Sequence, residues 1–135
     1  MKRFEEIPHT ADWSFRAFGR DKPDLFVNAA YALFALQGAR PRPGAAETVR
    51  EVEVSAIDIE SLFVTWLSEL LWLQETYTEV YTRFEIATLT ETTLRANVYG
   101  LPRNEMDKVI KAVTYHNLKI ESTPQSWQAI VVVDV

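Results

Sequence analysis

Between Ile59 and Leu73 the chain places Ile59, Leu62, Phe63, Trp66, Leu67, Leu70, Leu71 and Leu73 at helical spacing. A helix this apolar has to be covered on most of its surface. It reads as the central core helix, so the rest of the chain must pack around it. Asp58 stands where a helix cap belongs, and Glu60 lies in the first turn, where the helix dipole favours an acid. A second helical pattern, Leu25, Phe26, Ala29, Ala30, Leu33 and Phe34, runs to about Gln37. Asp21 caps it, Pro23 fits its first turn and Gly38 stops it.

The other periodic segments have the two-residue period of strands. Residues 1–19 read as two short strands; in the second, Trp13, Phe15 and Ala17 share one face, and Asp12 shares the other with Ser14, Arg16 and Phe18. Arg40-Pro41-Arg42-Pro43-Gly44 reads as a loop. Over 49–56, Val52, Val54 and Ala56 face inward while Glu51, Glu53 and Ser55 face out. Strands around Tyr81–Leu89 and Thr93–Tyr99 form a hairpin across the turn Thr90-Glu91-Thr92. The run from Gly100 to Asn104 breaks the pattern, and Met106, Val109 and Ile110 read as a short helical turn. Strands at 115–121 and 127–134 close the chain. The order β-β-α-β-α-β-β-β-β predicts an α+β fold: a single domain over 1–135, with a mostly antiparallel or mixed sheet of about six to seven strands and two main helices packed on it.

Composition removes several function classes. With no cysteine there are no disulfides, thiolate metal sites or cysteine nucleophiles, which fits a cytoplasmic protein. The start, Met1-Lys2-Arg3-Phe4-Glu5-Glu6, has no signal-type apolar core, and no apolar run approaches the ~20 residues of a membrane span. Fourteen Lys and Arg against 19 Asp and Glu leave a net charge of −5. A domain holding nucleic acid directly is more often basic, whereas an acidic one suits a basic partner. Gly-rich phosphate loops, H-E-x-x-H and G-x-S-x-G are missing. The four Trp residues do not align with basic residues into a stacking platform, so core packing is their default role.

Two clusters carry possible chemistry. The apolar strand 127–133 ends on Asp134 and Val135, and His9-Thr10-Ala11-Asp12 precedes another strand. A buried lone carboxylate is costly, so such acids stay wet, pair or bind a cation. If the two segments meet, Asp12, Asp134 and the Val135 carboxylate make an oxygen-rich site for a hard divalent ion, calcium first and magnesium second. His9 stands three residues before Asp12, as ligand or hydrogen-bond partner. The plainer reading has Asp12 and His9 in a turn and Asp134 solvated. The second cluster, Lys111-Ala112-Val113-Thr114-Tyr115-His116, sets a cation, a hydroxyl, a phenol and an imidazole within six residues. Its plainer reading is a strand edge, with His116 alternating with Leu118 and Ile120 as a satisfied core histidine.

Taken in order along the chain, these blocks resemble the archease family. They are HTAD before an aromatic-rich strand, a helix entered through Pro-Asp-Leu-Phe with an Ala-Ala step, a second helix with a Leu-Leu pair, K-A-x-T-Y-H from Lys111, and a last strand ending D-V. The resemblance implies an accessory protein of the RtcB-type tRNA-splicing RNA ligase. That ligase uses GTP and manganese to join a cyclic-phosphate or 3′-phosphate RNA end to a 5′-hydroxyl end. The family member promotes guanylylation of the ligase and repeated turnover, and older descriptions call the family a chaperone of RNA-processing enzymes. By position, Asp12 and Asp134 match the family's metal-site acids, and Val135 stands at the usual Ile or Val. Lys111 matches the lysine of K-A-x-T-Y-H, with Tyr115 and His116 in the same block. The bulky Trp13 after HTAD departs from the pattern.

The expectation is thus an activator of an RNA ligase, not itself an enzyme, touching RNA only through the ligase and having no small-molecule substrate of its own. Competing readings are a general chaperone, acting on many clients without need of Asp12 or Lys111, and a metal-dependent hydrolase using the same acids with His9 or His116 as base.

Overall fold

Both stretches of helical spacing form helices. In the computed structural model, which describes residues 1–8 and 13–135, they are α1 (Lys22–Gln37) and α2 (Ile59–Tyr77). The Asp21 carboxylate accepts from the Asp24 N–H at 2.9 Å and the Asp58 carboxylate from the Ser61 N–H at 2.8 Å, each filling one of the donors that a helix start leaves open. That bond holds the Asp58 carboxyl below its ordinary pKa. Gly38 ends α1 in the left-handed conformation (φ 64°), its N–H donating to Ala35 O and the next N–H, of Ala39, to Phe34 O.

The α+β class holds, and the strands are shared between two antiparallel sheets. The first contains β1 (Phe4–Ile7), β2 (Trp13–Gly19), β7 (Ala112–Val113), β8 (Ile120–Ser122) and β9 (Trp127–Asp134). β9 lies inside it, with β2 along one edge and β7 and β8 along the other. The second contains β3 (Arg40–Pro41), β4 (Thr48–Ser55), β5 (Glu79–Leu89) and β6 (Thr93–Glu105), with β6 paired to the other three.

α1 packs on β2 and β9 of the first sheet and on β5 of the second, and α2 reaches β4, β5, β6 and β7. Phe15, Val131 and Val133 meet Leu25, Phe26 and Leu33 of α1 and Leu62, Trp66 and Leu70 of α2 in one core, all buried. Each such large side chain contributes about 1.5–3 kcal/mol. Trp66 is fully buried because its indole N–H finds Phe26 O at 2.9 Å.

Four sequence expectations are corrected. Arg40 and Pro41, expected in a loop, pair with Glu105 and Arg103 as β3. β6 does not break at Gly100–Asn104 but runs to Glu105. Gly100 accommodates the Tyr81 ring across the ladder, since a Cβ there would stand 2.7 Å from Tyr81 Cε1. Pro102 accepts from the Arg42 N–H at 2.7 Å, so its donorless nitrogen faces that same edge, past the end of β4, where no ladder acceptor is wasted. The expected helical turn at 106–110 is an irregular linker. The expected strand 115–121 is split: β7 ends at Val113, a turn bearing left-handed Asn117 (φ 56°) follows, and β8 begins at Ile120. His116 is therefore exposed on that turn and not a core histidine.

Candidate functional site

The end of β9 is where the two chemically interesting blocks approach. Ala112 and Val113 of β7 pair with Asp134 and Val133, and the Lys111 N–H donates to Asp134 O at 2.8 Å. One step on, Val132 O accepts both the Thr114 N–H and the Thr114 hydroxyl, each at 3.0 Å. The hydroxyl in turn accepts from the His116 N–H at 3.2 Å, and the Leu118 N–H closes the turn on Tyr115 O at 3.0 Å. The backbone thus locks K-A-V-T-Y-H onto the D-V strand end.

The side chains that the sequence singles out stay outside that bonding. Lys111, Tyr115, His116, Asp134 and Val135 are all exposed. None of the Lys111, Tyr115, His116 and Asp134 side chains makes a hydrogen bond or ion pair with another described residue. On the opposite edge Trp13, the residue after Asp12, pairs with Val133, the residue before Asp134. Its indole N–H donates to Glu6 at 2.9 Å, and the Lys108 ammonium stands 5.3 Å from its ring centre. The expected site residues His9 and Asp12 lie outside the described residues. Among the described residues no group of three or more acids or histidines gathers for a metal ion. Asp134 and the main-chain oxygens of Val135 are the donors that belong to the described part, and they suit a hard cation by type.

What places Lys111 is a buried amide pair that reading the sequence missed. Gln37, on α1, and Gln74, on α2, are fully buried. Each Nε2 donates to the other's Oε1 at 2.9 Å. Gln37 Nε2 also donates to Leu33 O at 3.0 Å, and its Oε1 accepts the Ile110 N–H at 2.9 Å. Gln37 O accepts the N–H groups of Asp107 (2.9 Å) and Lys108 (3.1 Å). The Ile110 N–H, the donor that would close a helical turn on Met106 O, is taken by Gln37 Oε1, so that turn does not close. Arg40 adds an outer clamp on Asp107 at 2.9 Å and holds that carboxyl below its ordinary pKa. The signal in the sequence was a glutamine at a core-facing position of each helix, where an apolar residue is the rule.

A second polar cluster looks chemical and is structural. Glu79 is 6% exposed. Arg50 grips it through Nε and Nη2 (2.8 and 3.0 Å), Tyr81 OH donates at 2.7 Å and Thr48 Oγ1 at 3.1 Å. Burial pushes the carboxyl pKa up, but the Arg50, Tyr81 and Thr48 bonds outweigh it and hold the carboxyl below its ordinary value. Burial and the Glu79 carboxylate both push the Tyr81 phenol far above its usual pKa. The carboxylate is held ionised and the phenol neutral, so neither is poised to exchange protons near neutrality.

The model of the Archease protein family matches residues 4–135 of the chain. Protein archease of Methanosarcina barkeri is 36% identical over 143 aligned residues, covering 99% of this chain and 97% of its own. Protein archease of Pyrococcus abyssi is 36% identical over 143 aligned residues, covering 100% of both. The solution structure of protein 1598 of Methanobacterium thermoautotrophicum superimposes with a TM-score of 0.76 at 30% identity, over 100% of both chains. The crystal structure of a Thermotoga maritima archease, called a possible chaperone, gives a TM-score of 0.72 over 97% of this chain and 96% of that one. At 22% identity that last likeness speaks for the fold alone.

Proposed function

The chain belongs to the archease family, and from that premise we propose that it is a non-enzymatic activator of the GTP-dependent RtcB-type RNA ligase. In this reading it promotes ligase guanylylation and repeated turnover in tRNA splicing and RNA repair. The observation that carries the reading is the 2.8 Å bond from the Lys111 N–H to Asp134 O. It joins two of the blocks that carry the family resemblance, K-A-V-T-Y-H and the D-V strand end, and leaves an ammonium and a carboxylate exposed at one end of a sheet, with no partner among the described residues.

Asp12, Asp134 and the oxygens of Val135 would hold the divalent ion, calcium before magnesium, with His9 beside them. Such an ion would supply a fixed positive charge that draws together the acid before β2 and the acid at the end of β9. Lys111 offers a point charge for a phosphate of the ligase-bound nucleotide, with Tyr115 and His116 next to it on an exposed turn. The net charge of −5 steers the protein toward a basic ligase surface.

Ligase self-guanylylation under multiple turnover tests this directly. Wild type should stimulate it, and Asp12→Ala, Asp134→Ala and Lys111→Ala should abolish the stimulation while keeping the wild-type circular dichroism. Calcium titration calorimetry should show heat with wild type that Asp134→Ala lacks. Fully active, normally folded Asp134→Ala and Lys111→Ala variants would remove the site from the mechanism.

A further inference from the structure

A cavity of about 340 Å³ opens beside α1, where Asp24, Val27, Asn28 and Tyr31 recur at helical spacing and form one wall. Arg3, just before β1, and Arg20, just after β2, line it as well. Its volume falls within the range of small-molecule sites, roughly 300–1,000 Å³. It is separate from the site at the end of β9. That end pairs with Trp13, and β2 runs from there to Gly19, about 20 Å of strand.

The polar groups of this cavity are fixed by bonds that leave particular atoms open. Asn28 is 5% exposed. Its Nδ2 donates to Phe18 O at 2.8 Å, and the Phe18 N–H donates to Arg3 O at 2.9 Å. The Phe18 carbonyl needs a donor, so the amide cannot turn over. Asn28 Oδ1 is left with no partner among the described residues. Asp24 Oδ2 accepts the Arg20 N–H at 2.9 Å and Arg20 Nε at 3.4 Å, so Asp24 Oδ1 is also open. Asp24 and Asn28 are four residues apart on one helix face, about 5–6 Å between their Cβ atoms. The terminal nitrogens of Arg20 have no acceptor among the described residues. The Arg3 guanidinium lies over the Tyr31 ring, 3.9 Å from its centre, and has no acid partner among them. Tyr31 is held in turn by Phe84, edge-on at 5.0 Å. Stacking uses the face of the guanidinium and leaves its in-plane N–H donors for an oxyanion.

The set selects its ligand by charge. Two guanidiniums suit acid groups, which they bind through paired N–H donors. A bare dianion such as phosphate would meet the Asp24 carboxylate as a like charge and leave the Asn28 oxygen unbonded. A ligand that carries an ammonium beside its acid groups satisfies both open oxygens as well. We propose that this cavity binds a free acidic α-amino acid of the aspartate or glutamate type. Its carboxylates lie on Arg3 and Arg20, and its ammonium lies between Asp24 Oδ1 and Asn28 Oδ1. The amino acid is a bound ligand and not a substrate, and the proposal is independent of the ligase-activator reading.

Titration calorimetry with L-glutamate and L-aspartate, paired with nitrogen-15 NMR of the side-chain amides, tests it. At least one of the two should bind and shift the Asn28 side-chain signals. Glutarate and succinate, which have the same acid groups without the ammonium, should bind about tenfold or more weakly. Arg3→Gln and Arg20→Gln should each weaken amino-acid binding by about tenfold or more. Both arginines are exposed, so the ligand-free melts of these variants should match wild type. Asp24→Asn should narrow the gap between glutamate and glutarate, a change that loss of folding cannot produce. Lys111→Ala and Asp134→Ala should bind as wild type does. If neither amino acid moves the Asn28 signals, the proposal falls. Glutarate or inorganic phosphate bound as tightly as glutamate would make this an unselective anion site and overturn it. Binding that survives both arginine substitutions would place the amino acid elsewhere and overturn it too.

Discussion

Gln37→Leu should be among the most costly single substitutions outside the apolar core. The leucine matches the glutamine in size but makes none of its bonds. It leaves the Ile110 N–H without its 2.9 Å acceptor and Gln74 Oε1 without its donor, both in a fully buried setting. A buried polar group left unbonded costs about 1–3 kcal/mol, so two give about 2–6 kcal/mol. Leu33 O keeps its helical bond and adds nothing to the loss. For a domain of this size about 3 kcal/mol corresponds to a fall in Tm on the order of 10 °C. Gln74→Leu should cost clearly less, because Gln37 Nε2 keeps Leu33 O and Gln37 Oε1 keeps the Ile110 N–H. The double variant should not be worse than Gln37→Leu alone, since it removes the orphaned Gln74 amide as well. Urea melts with a common m-value measure all three, and hydrogen exchange should show the Ile110 amide opening first in Gln37→Leu. Equal costs for the two single variants, or a double variant at their sum, would refute the idea that the linker bond carries the energy.

Two further substitutions probe the second sheet. Glu79 has its folded pKa depressed, so its stabilisation is complete above the unfolded value of about 4.3 and is lost as pH falls through the folded one. Glu79→Gln should therefore be less stable than wild type by about 2–4 kcal/mol at neutral pH, and urea melts toward pH 3 should show that gap closing; a gap independent of pH would sink the assignment. Gly100→Ala should cost about 1–3 kcal/mol by overpacking, because the new methyl meets a Tyr81 ring that its 2.7 Å bond to Glu79 keeps from swinging away. A thermal melt unchanged from wild type would mean the ring has room to move.

The helices were legible because cap and stripe agree at each, from Asp21 and from Asp58, and Gly38 adds the stop of the first. The long reach of β6 was not, because Gly100 and Pro102 are breakers when read locally. Only the cross-strand Tyr81 ring and the end of β4 make them fit. His116, Leu118 and Ile120 alternate like a strand, but Asn117 takes a left-handed turn that its type tolerates. Asp134 and Lys111 were each visible as chemistry. That their main chains touch is a matter of register between β7 and β9, which no local pattern encodes. Gln37 and Gln74 were in view as polar residues in apolar stripes, yet their pairing needs the crossing of two helices.

The inner position of β9 has a consequence for how the molecule comes into being. β5 and β6 form a hairpin, so the centre of the second sheet is built from contacts that close quickly, and β4 joins it across the length of α2. β9 is the last of the nine described strands to leave the ribosome, and its partner β2 is among the first. Until it arrives, the β1–β2 hairpin and the short β7 and β8 have no strand between them. Asp134 and Lys111 meet only at this slow, long-range closure. A nascent or half-folded chain can therefore present the second sheet but not the end of β9, and what that end does is reserved for the finished molecule.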